Sequence, residues 1–324
     1  MNKICIIIIW FGKFPDYFKL WEMSCAYNKN VADFLLITDQ HPENLSQNIR
    51  ITETTIQELQ KKMSSSLGFE VCFEKPFKSC DFRPAFGQIF TEELKGYQYW
   101  GHCDMDQIFG DLSILSPYLE KFEKIGRSGH LTLYKNNDRM NGLYQQSGAL
   151  FDYKNVFTSN ANYAFDERTG ICRIAQKNEV SYKNITKLRA DLTVKAKQLV
   201  MNDVRNYPEQ LFYWEHGHLY RAFYTNGTIH QDEFIYLHFQ KKHLPFCCDR
   251  IPESFYIGKN GFFEKNGDVT KEDFITYNKK ESHIMKVVHS GRYYFHKMIS
   301  YIKMNSEQRK IWTAQKRIGN EKYE

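Results

Sequence analysis

The chain has 324 residues, of which 42% are hydrophobic, 16% aromatic and 25% charged, with only 8 Pro and 18 Gly. That composition excludes a disordered, collagen-like or low-complexity protein and supplies enough apolar material for one large core with an appendage. The net charge of +6 is concentrated in the tail: Tyr277 to Glu324 carries eleven Lys or Arg against four Glu, a net +7, so the body is close to neutral. A neutral body with a basic tail speaks against a nucleic-acid binder and for a local electrostatic device.

Ile4–Trp10 is a continuous, largely β-branched apolar run, the pattern of a strand buried on both faces of a parallel sheet. The run is far short of the roughly 20 residues that span a bilayer. It also lacks the basic flank and cleavage site of a secretory signal, so the expectation is a cytoplasmic chain. A helical stretch follows through Phe18, Trp21, Met23 and Cys25, and Phe34–Thr38 reads as a second buried strand ending on Asp39. Strand, helix and strand within forty residues form a βαβ opening. Helices are expected over Thr55–Lys62 and Pro84–Lys95, and a strand over Tyr97–Cys103. Leu131–Tyr134 and Phe234–Phe239 are further strand candidates, and residues 184–206 read as helical. The eight cysteines form no C-x-x-C pair, which disfavours structural zinc and favours reduced thiols.

In the tail, Ile284, Val287, Val288, Phe295, Met298, Ile299 and Ile302 fall within an arc of about 120° on a helical wheel, away from Lys286, Arg292, Lys297 and Lys303. Two readings stay open: a terminal helix packed on the domain, or a helix lying on an anionic membrane surface.

The chemistry centres on Tyr99-Trp100-Gly101-His102-Cys103-Asp104-Met105-Asp106-Gln107-Ile108-Phe109-Gly110-Asp111. Asp104 and Asp106, one residue apart just after a buried strand, can converge on a divalent cation at the edge where open α/β sheets bind ligands. Hard oxygen donors suit Mg²⁺ or Mn²⁺. A D-x-D is weak by itself, because a polar turn uses the same residues. Upstream, Lys78 and Arg83 lie at the entry to the expected 84–95 helix, where cations are poorly placed unless an anion joins them. They are candidates for a diphosphate, with Asp81 orienting Arg83 or meeting a sugar hydroxyl. Asp39 has the position of a base- or ribose-contacting acid.

Several segments together resemble a bacterial family of glycosyltransferase-like proteins from capsule and lipopolysaccharide synthesis loci. They are Cys5–Pro15, Leu35–Asp39, Lys78–Gly87, Tyr99–Asp111 and Gly129–Asn136. The resemblance runs over residues 1 to about 240. It implies a GT-A-like α/β fold: a Rossmann-like nucleotide-binding βαβ half (about 1–112) with a mixed central sheet, and an acceptor half (113–242). Residues 243–324 would then be a C-terminal helical extension.

It further implies transfer of a sugar from a nucleotide-diphosphate donor, most often a UDP-hexose, to a glycan or lipid-linked glycan acceptor, with Mn²⁺ or Mg²⁺ as cofactor. On this resemblance the metal set is Asp104, Asp106 and His238. Phe11, Gly12, Asp39, Lys78, Asp81, Arg83, Asp104, His130 and Lys241 would bind the nucleotide sugar. Asp166, Glu167 and Asp191 are the candidates for a catalytic base, of which one is needed. Tyr213-Trp214-Glu215-His216-Gly217 would be an aromatic sugar platform or core. Inversion and retention stay open, as do two other classes: a metal-dependent nucleotidyl- or phosphotransferase, and a non-catalytic sugar-nucleotide or glycan-binding module. Peripheral association with the inner face of the cytoplasmic membrane would follow from the tail.

Overall fold

A computed structural model describes residues 3–127, 129–240 and 242–319. The fold is mixed α/β. In chain order it starts with β1 (Ile4–Trp10), α1 (Phe18–Tyr27), β2 (Ala32–Thr38), β3 (Ile49–Glu53) and α2 (Ile56–Leu67). Two single turns, α3 (Ser79–Phe82) and α4 (Phe86–Ile89), precede β4 (Tyr99–Cys103), β5 (Gln107–Phe109), β6 (Lys124–Ile125) and β7 (Leu131–Lys135). Short helices α5 (Asp138–Asn141), α6 (Tyr153–Thr158) and α7 (Ile171–Lys177) lead to β8 (Tyr182–Lys183) and β9 (Arg189–Asp191). The remainder is β10 (Gln210–Glu215), β11 (His218–Thr225), β12 (Thr228–Phe234), β13 (Tyr236–His238), β14 (Ser254–Gly258) and β15 (Gly261–Glu264). Three helices close the chain: α8 (Lys271–Asn278), α9 (His283–Ile302) and α10 (Ser306–Gly319).

The main sheet has seven strands in the order β3-β2-β1-β4-β7-β6-β8. β1 pairs in parallel with β2 on one side and β4 on the other, while β7 runs antiparallel to β4. The side chains of β1 alternate between two cores: Ile4, Ile6 and Ile8 enter one, Cys5 and Ile7 the other. Each fully buried aliphatic side chain contributes about 1.5–3 kcal/mol, which is why an unbroken apolar run can only sit in the middle of a covered sheet. The chain moves outward from β1 through β2 to β3, then returns across β1 to β4. The carboxyl ends of β1 and β4 therefore flank a topological switch point, where loops diverge and leave a crevice.

The helix expected over Thr55–Lys62 extends to Leu67, opened by a Thr55–Glu58 capping box and stopped by Gly68 in the left-handed region. The expected 84–95 helix is broken into a 3₁₀ turn at Arg83–Ala85 and α4. Gly87 lies against Trp100, where an added Cβ would be 2.6 Å from the indole nitrogen. Tight docking of this turn thus overrides continuous winding.

Residues 184–206 form no α-helix, only a single 3₁₀ turn at Thr186–Leu188. Asn184 caps a turn by accepting from the Thr186 amide at 2.9 Å, and the chain then pairs as β9, parallel to β13. The strand expected over Phe234–Phe239 divides into the end of β12 and the separate β13. A five-stranded sheet, β12-β11-β10-β14-β15, forms the far side of the molecule. β14 pairs with β10, so the boundary expected at 242/243 falls inside this sheet. Trp214 is fully buried and donates to the Phe109 carbonyl at 2.8 Å, and Tyr213 is buried too, so the aromatic pair of this segment is core rather than a sugar platform, while His216 is exposed in the turn.

Candidate functional site

Three strands assemble the site. A small sheet, β5-β13-β9, lies beyond the carboxyl end of β4. Its register sets His238 opposite Gln107 on one side and Asp191 on the other. The Asp104 amide donates to the His130 carbonyl at 3.0 Å, and the Phe239 amide to the Asp106 carbonyl at 2.9 Å. Backbone pairing thus brings together His130, Asp191 and His238, which lie up to 108 positions apart, around the Asp104-Met105-Asp106 turn.

The expected cation set converges. His238 Nε2 is 3.6 Å from Asp104 Oδ2 and 3.3 Å from Asp106 Oδ1. Among the described residues, two groups of side chains have ligand atoms within 4.8 Å of one another: Asp104, Asp106 and His238, and His130, Asp191 and His238. Two carboxylates and an imidazole at this spacing fit Mn²⁺ or Mg²⁺ in donor chemistry, the nitrogen favouring Mn²⁺.

His238 is oriented by Asp191, whose Oδ1 accepts from Nδ1 at 2.8 Å. Burial disfavours its protonated form, but hydrogen bonds to Asp106 and Asp191, with the Asp104 charge, raise its pKa to about 9. Asp191 also accepts from Gln240 at 2.8 and 2.9 Å and from Asn202 at 2.9 Å. Against the cost of its burial, these donors hold its carboxyl well below the ordinary range. Its oxygens are committed to positioning His238, which corrects the expectation that Asp191 is a base candidate. Gln240, Asn202 and Arg189 escaped sequence reasoning, since no local pattern marks a residue whose role is to hold another.

His130 stacks on His238, with ring centroids 3.9 Å apart. Burial and the neighbouring His238 charge lower its pKa to about 4. In that neutral state its Nδ1 accepts from Arg189 at 3.1 Å.

Arg83 bridges the two halves of the crevice, bonding Asp104 with one nitrogen and Asp166 with the other, the latter at 3.0 Å. One guanidinium facing two carboxylates cannot neutralise both. Burial opposes ionisation of Asp104, yet Arg83 and His238 hold it ionised. Asp166, fully enclosed and near Glu167, is driven well above the ordinary range despite Arg83. That engagement removes Asp166 from the candidates for a free base. Glu167 is exposed at the rim, and the nearby Asp104 charge raises its carboxyl.

At the neighbouring strand ends, Gly12 takes φ +87° and its amide donates to Asp39 Oδ1 at 2.8 Å. That backbone conformation suits glycine. Phe11 is half-buried beside it, 6.4 Å from Phe73. Phe11, Gly12 and Asp39 therefore sit together on the same carboxyl edge as Asp104.

Lys78 and Asp81 do not. Lys78 Nζ donates to Asp81 at 2.8 Å and to the carbonyls of Val156 and Ala161 at 2.8 and 2.6 Å, using all three protons. Asp81 is buried and also accepts from the Tyr163 and Phe165 amides, each at 2.9 Å. The pair ties α3 to the loop before Asp166 and has no donor left for a phosphate. Lys241 lies outside the described residues, and its neighbour Lys242 bonds the Ala196 carbonyl.

A family model described as "Family of unknown function (DUF6625)" matches residues 6–266. The chain belongs to this family. The DUF6625 match runs to the end of β15 and contains every residue of the crevice, while α8, α9 and α10 lie beyond it. Comparison with curated proteins finds no match.

Proposed function

We propose that the crevice is the donor site of a GT-A-type glycosyltransferase, which uses Mn²⁺ or Mg²⁺ to transfer a sugar from a nucleotide diphosphate to a glycan acceptor. The observation that carries this reading is the convergence of Asp104, Asp106 and His238 on one point at the switch between β1 and β4. The Gly12–Asp39 corner lies on the adjacent strand ends. A strand order of β3-β2-β1-β4 followed by an antiparallel strand, with the acidic turn leaving β4, supports a nucleotide-binding half of this type.

Asp104, Asp106 and His238 would hold the ion, and the ion would neutralise charge developing on the departing diphosphate. Asp191 keeps His238 in the tautomer that turns Nε2 toward the acidic pair. Arg83 adds a fixed positive charge beside that pair. The Gly12–Asp39 corner offers a carboxylate for ribose hydroxyls or a base edge. Glu167, open to solvent and raised in pKa, is the carboxylate suited to accept a proton from an acceptor hydroxyl.

The test is thermal unfolding across nucleotide-diphosphate sugars with and without Mn²⁺, followed by an assay for released nucleoside diphosphate. A ligand that binds only the folded chain raises its unfolding temperature. UDP-hexoses are the first donors to try. Asp104→Asn with Asp106→Asn should remove both the cation-dependent shift and turnover. Release of inorganic pyrophosphate would instead establish a nucleotidyltransferase. Glycan binding without turnover of any donor would make the chain a binding module.

A further inference from the structure

The second surface of interest is α9, twenty residues with none buried. At 1.5 Å per residue it is a rod about 30 Å long. Ile284, Val287, Phe295, Met298 and Ile302 are 75, 59, 56, 52 and 62% exposed and share one face. The opposite face turns toward the body, where Lys195 lies 6.0 Å from the Tyr293 ring. An unpartnered apolar ridge of this length is costly in water and marks an interaction surface.

Beyond α9 the chain folds back and is fixed to the body. Tyr301 packs on Trp312 at 4.5 Å, and Ile311 of α10 enters the core at 3% exposure. Glu307 accepts from Ser159 and Tyr163 at 2.7 and 2.6 Å. At the other end the Lys197 amide donates to Glu281 at 3.0 Å, so both ends of α9 are held while its apolar ridge faces outward.

The occupant is decided by charge. Arg292 and Lys303 flank the ridge, Arg309 donates to the Ile302 carbonyl at its end, and Lys310, Lys316 and Arg317 of α10 are further exposed cations. A second copy seated on this face would oppose two tails of net +7 each. A convex apolar ridge bordered by cations and by the amphipathic rings of Tyr294 and Tyr301 instead matches the headgroup–acyl boundary of an anionic bilayer.

We propose that α9 is a membrane-surface helix, its outward ridge inserting into an anionic phospholipid leaflet while the flanking cations meet the headgroups. No helix among the described residues is long and apolar enough to cross a membrane, so the association is in the plane of the surface. The inference does not depend on the reaction assigned to the crevice.

The test is co-sedimentation of the full chain with vesicles of phosphatidylcholine alone or mixed with phosphatidylglycerol, at low and moderate salt. Partitioning should be confined largely to the mixed vesicles and weaken as salt screens the charges. Phe295→Ser with Ile302→Ser should lower it about tenfold or more, because each removes a large exposed apolar side chain from the inserting ridge. Circular dichroism and thermal unfolding should be unchanged, since neither side chain is buried. Arg292→Glu with Lys303→Glu should weaken the preference for anionic lipid and its dependence on salt. Wild-type chain that stays in the supernatant overturns the proposal. So does a serine variant that partitions like wild type, or a dimer in sedimentation velocity that the same serine variant dissociates.

Discussion

Replacing Asp191 by Asn tests the central reading of the crevice. Asp191 Oδ1 accepts from His238 Nδ1 at 2.8 Å, and both of its oxygens are held by Gln240 and Asn202. Asn keeps the volume but removes the charge, and its amide nitrogen must face one of the side-chain amides that now donate. His238 would lose both its orienter and much of the field that fixes which ring nitrogen faces the acidic pair. Removing the partner of a metal-binding histidine typically lowers metal affinity by about 10–100-fold, or roughly 1.4–2.7 kcal/mol. Calorimetric titration of Mn²⁺ into Asp191→Asn should therefore show a dissociation constant at least tenfold weaker than wild type, with turnover restored by excess Mn²⁺. If Mn²⁺ binds the variant as tightly as wild type while turnover collapses at saturating cation, Asp191 is the base and the positioning role is refuted.

Three further outcomes follow from the same geometry. Without cation, His238 has a folded pKa near 9 against 6.5 unfolded, so its contribution to stability is fully present below pH 6.5 and is lost as pH rises to 9. Denaturant unfolding should show that loss, up to about 3 kcal/mol, and His238→Gln should flatten it. Because a cation at Nε2 must displace that proton, Mn²⁺ affinity should rise with pH by up to about tenfold per unit below pH 9. A pH-independent affinity would remove His238 from the ligand set. Lys78→Met breaks a buried ion pair and should cost about 3–5 kcal/mol in urea unfolding. The variant that still folds should bind donor as tightly as wild type, whereas a selective loss of donor affinity would return Lys78 to the phosphate site.

Parts of this architecture are legible in the primary structure because they rest on local physics. A largely apolar run such as Ile4–Trp10 is stable as a covered central strand, and the aliphatic run of β2 and the aromatic run of β4 carry the same signal, so all three could be read directly. The acidic turn after β4 was visible for the same reason: polar residues that break an apolar strand must leave the sheet at its end. The hairpins of the second sheet had a signal too. Asn226-Gly227 joins β11 and β12 with both residues at positive φ, a dipeptide suited to that turn.

Other features were decided by contacts distant in sequence. Lys78 and Arg83 look alike as cations near a turn. Lys78 is buried against the carbonyls of Val156 and Ala161, whereas Arg83 reaches Asp104 and Asp166. Asp191 and Asp166 read as candidate bases until the pairing of β9 with β13, and the approach of Arg83, engaged their oxygens. The amphipathic pattern of α9 was present in its residues, but which way the apolar stripe faces depended on where α10 docks. Periodicity and turn chemistry act over a few residues and so determine elements. The partner of a charge, and the face an element shows to water, are free energies of the assembled molecule, settled only when segments a hundred residues apart compete for the same donors.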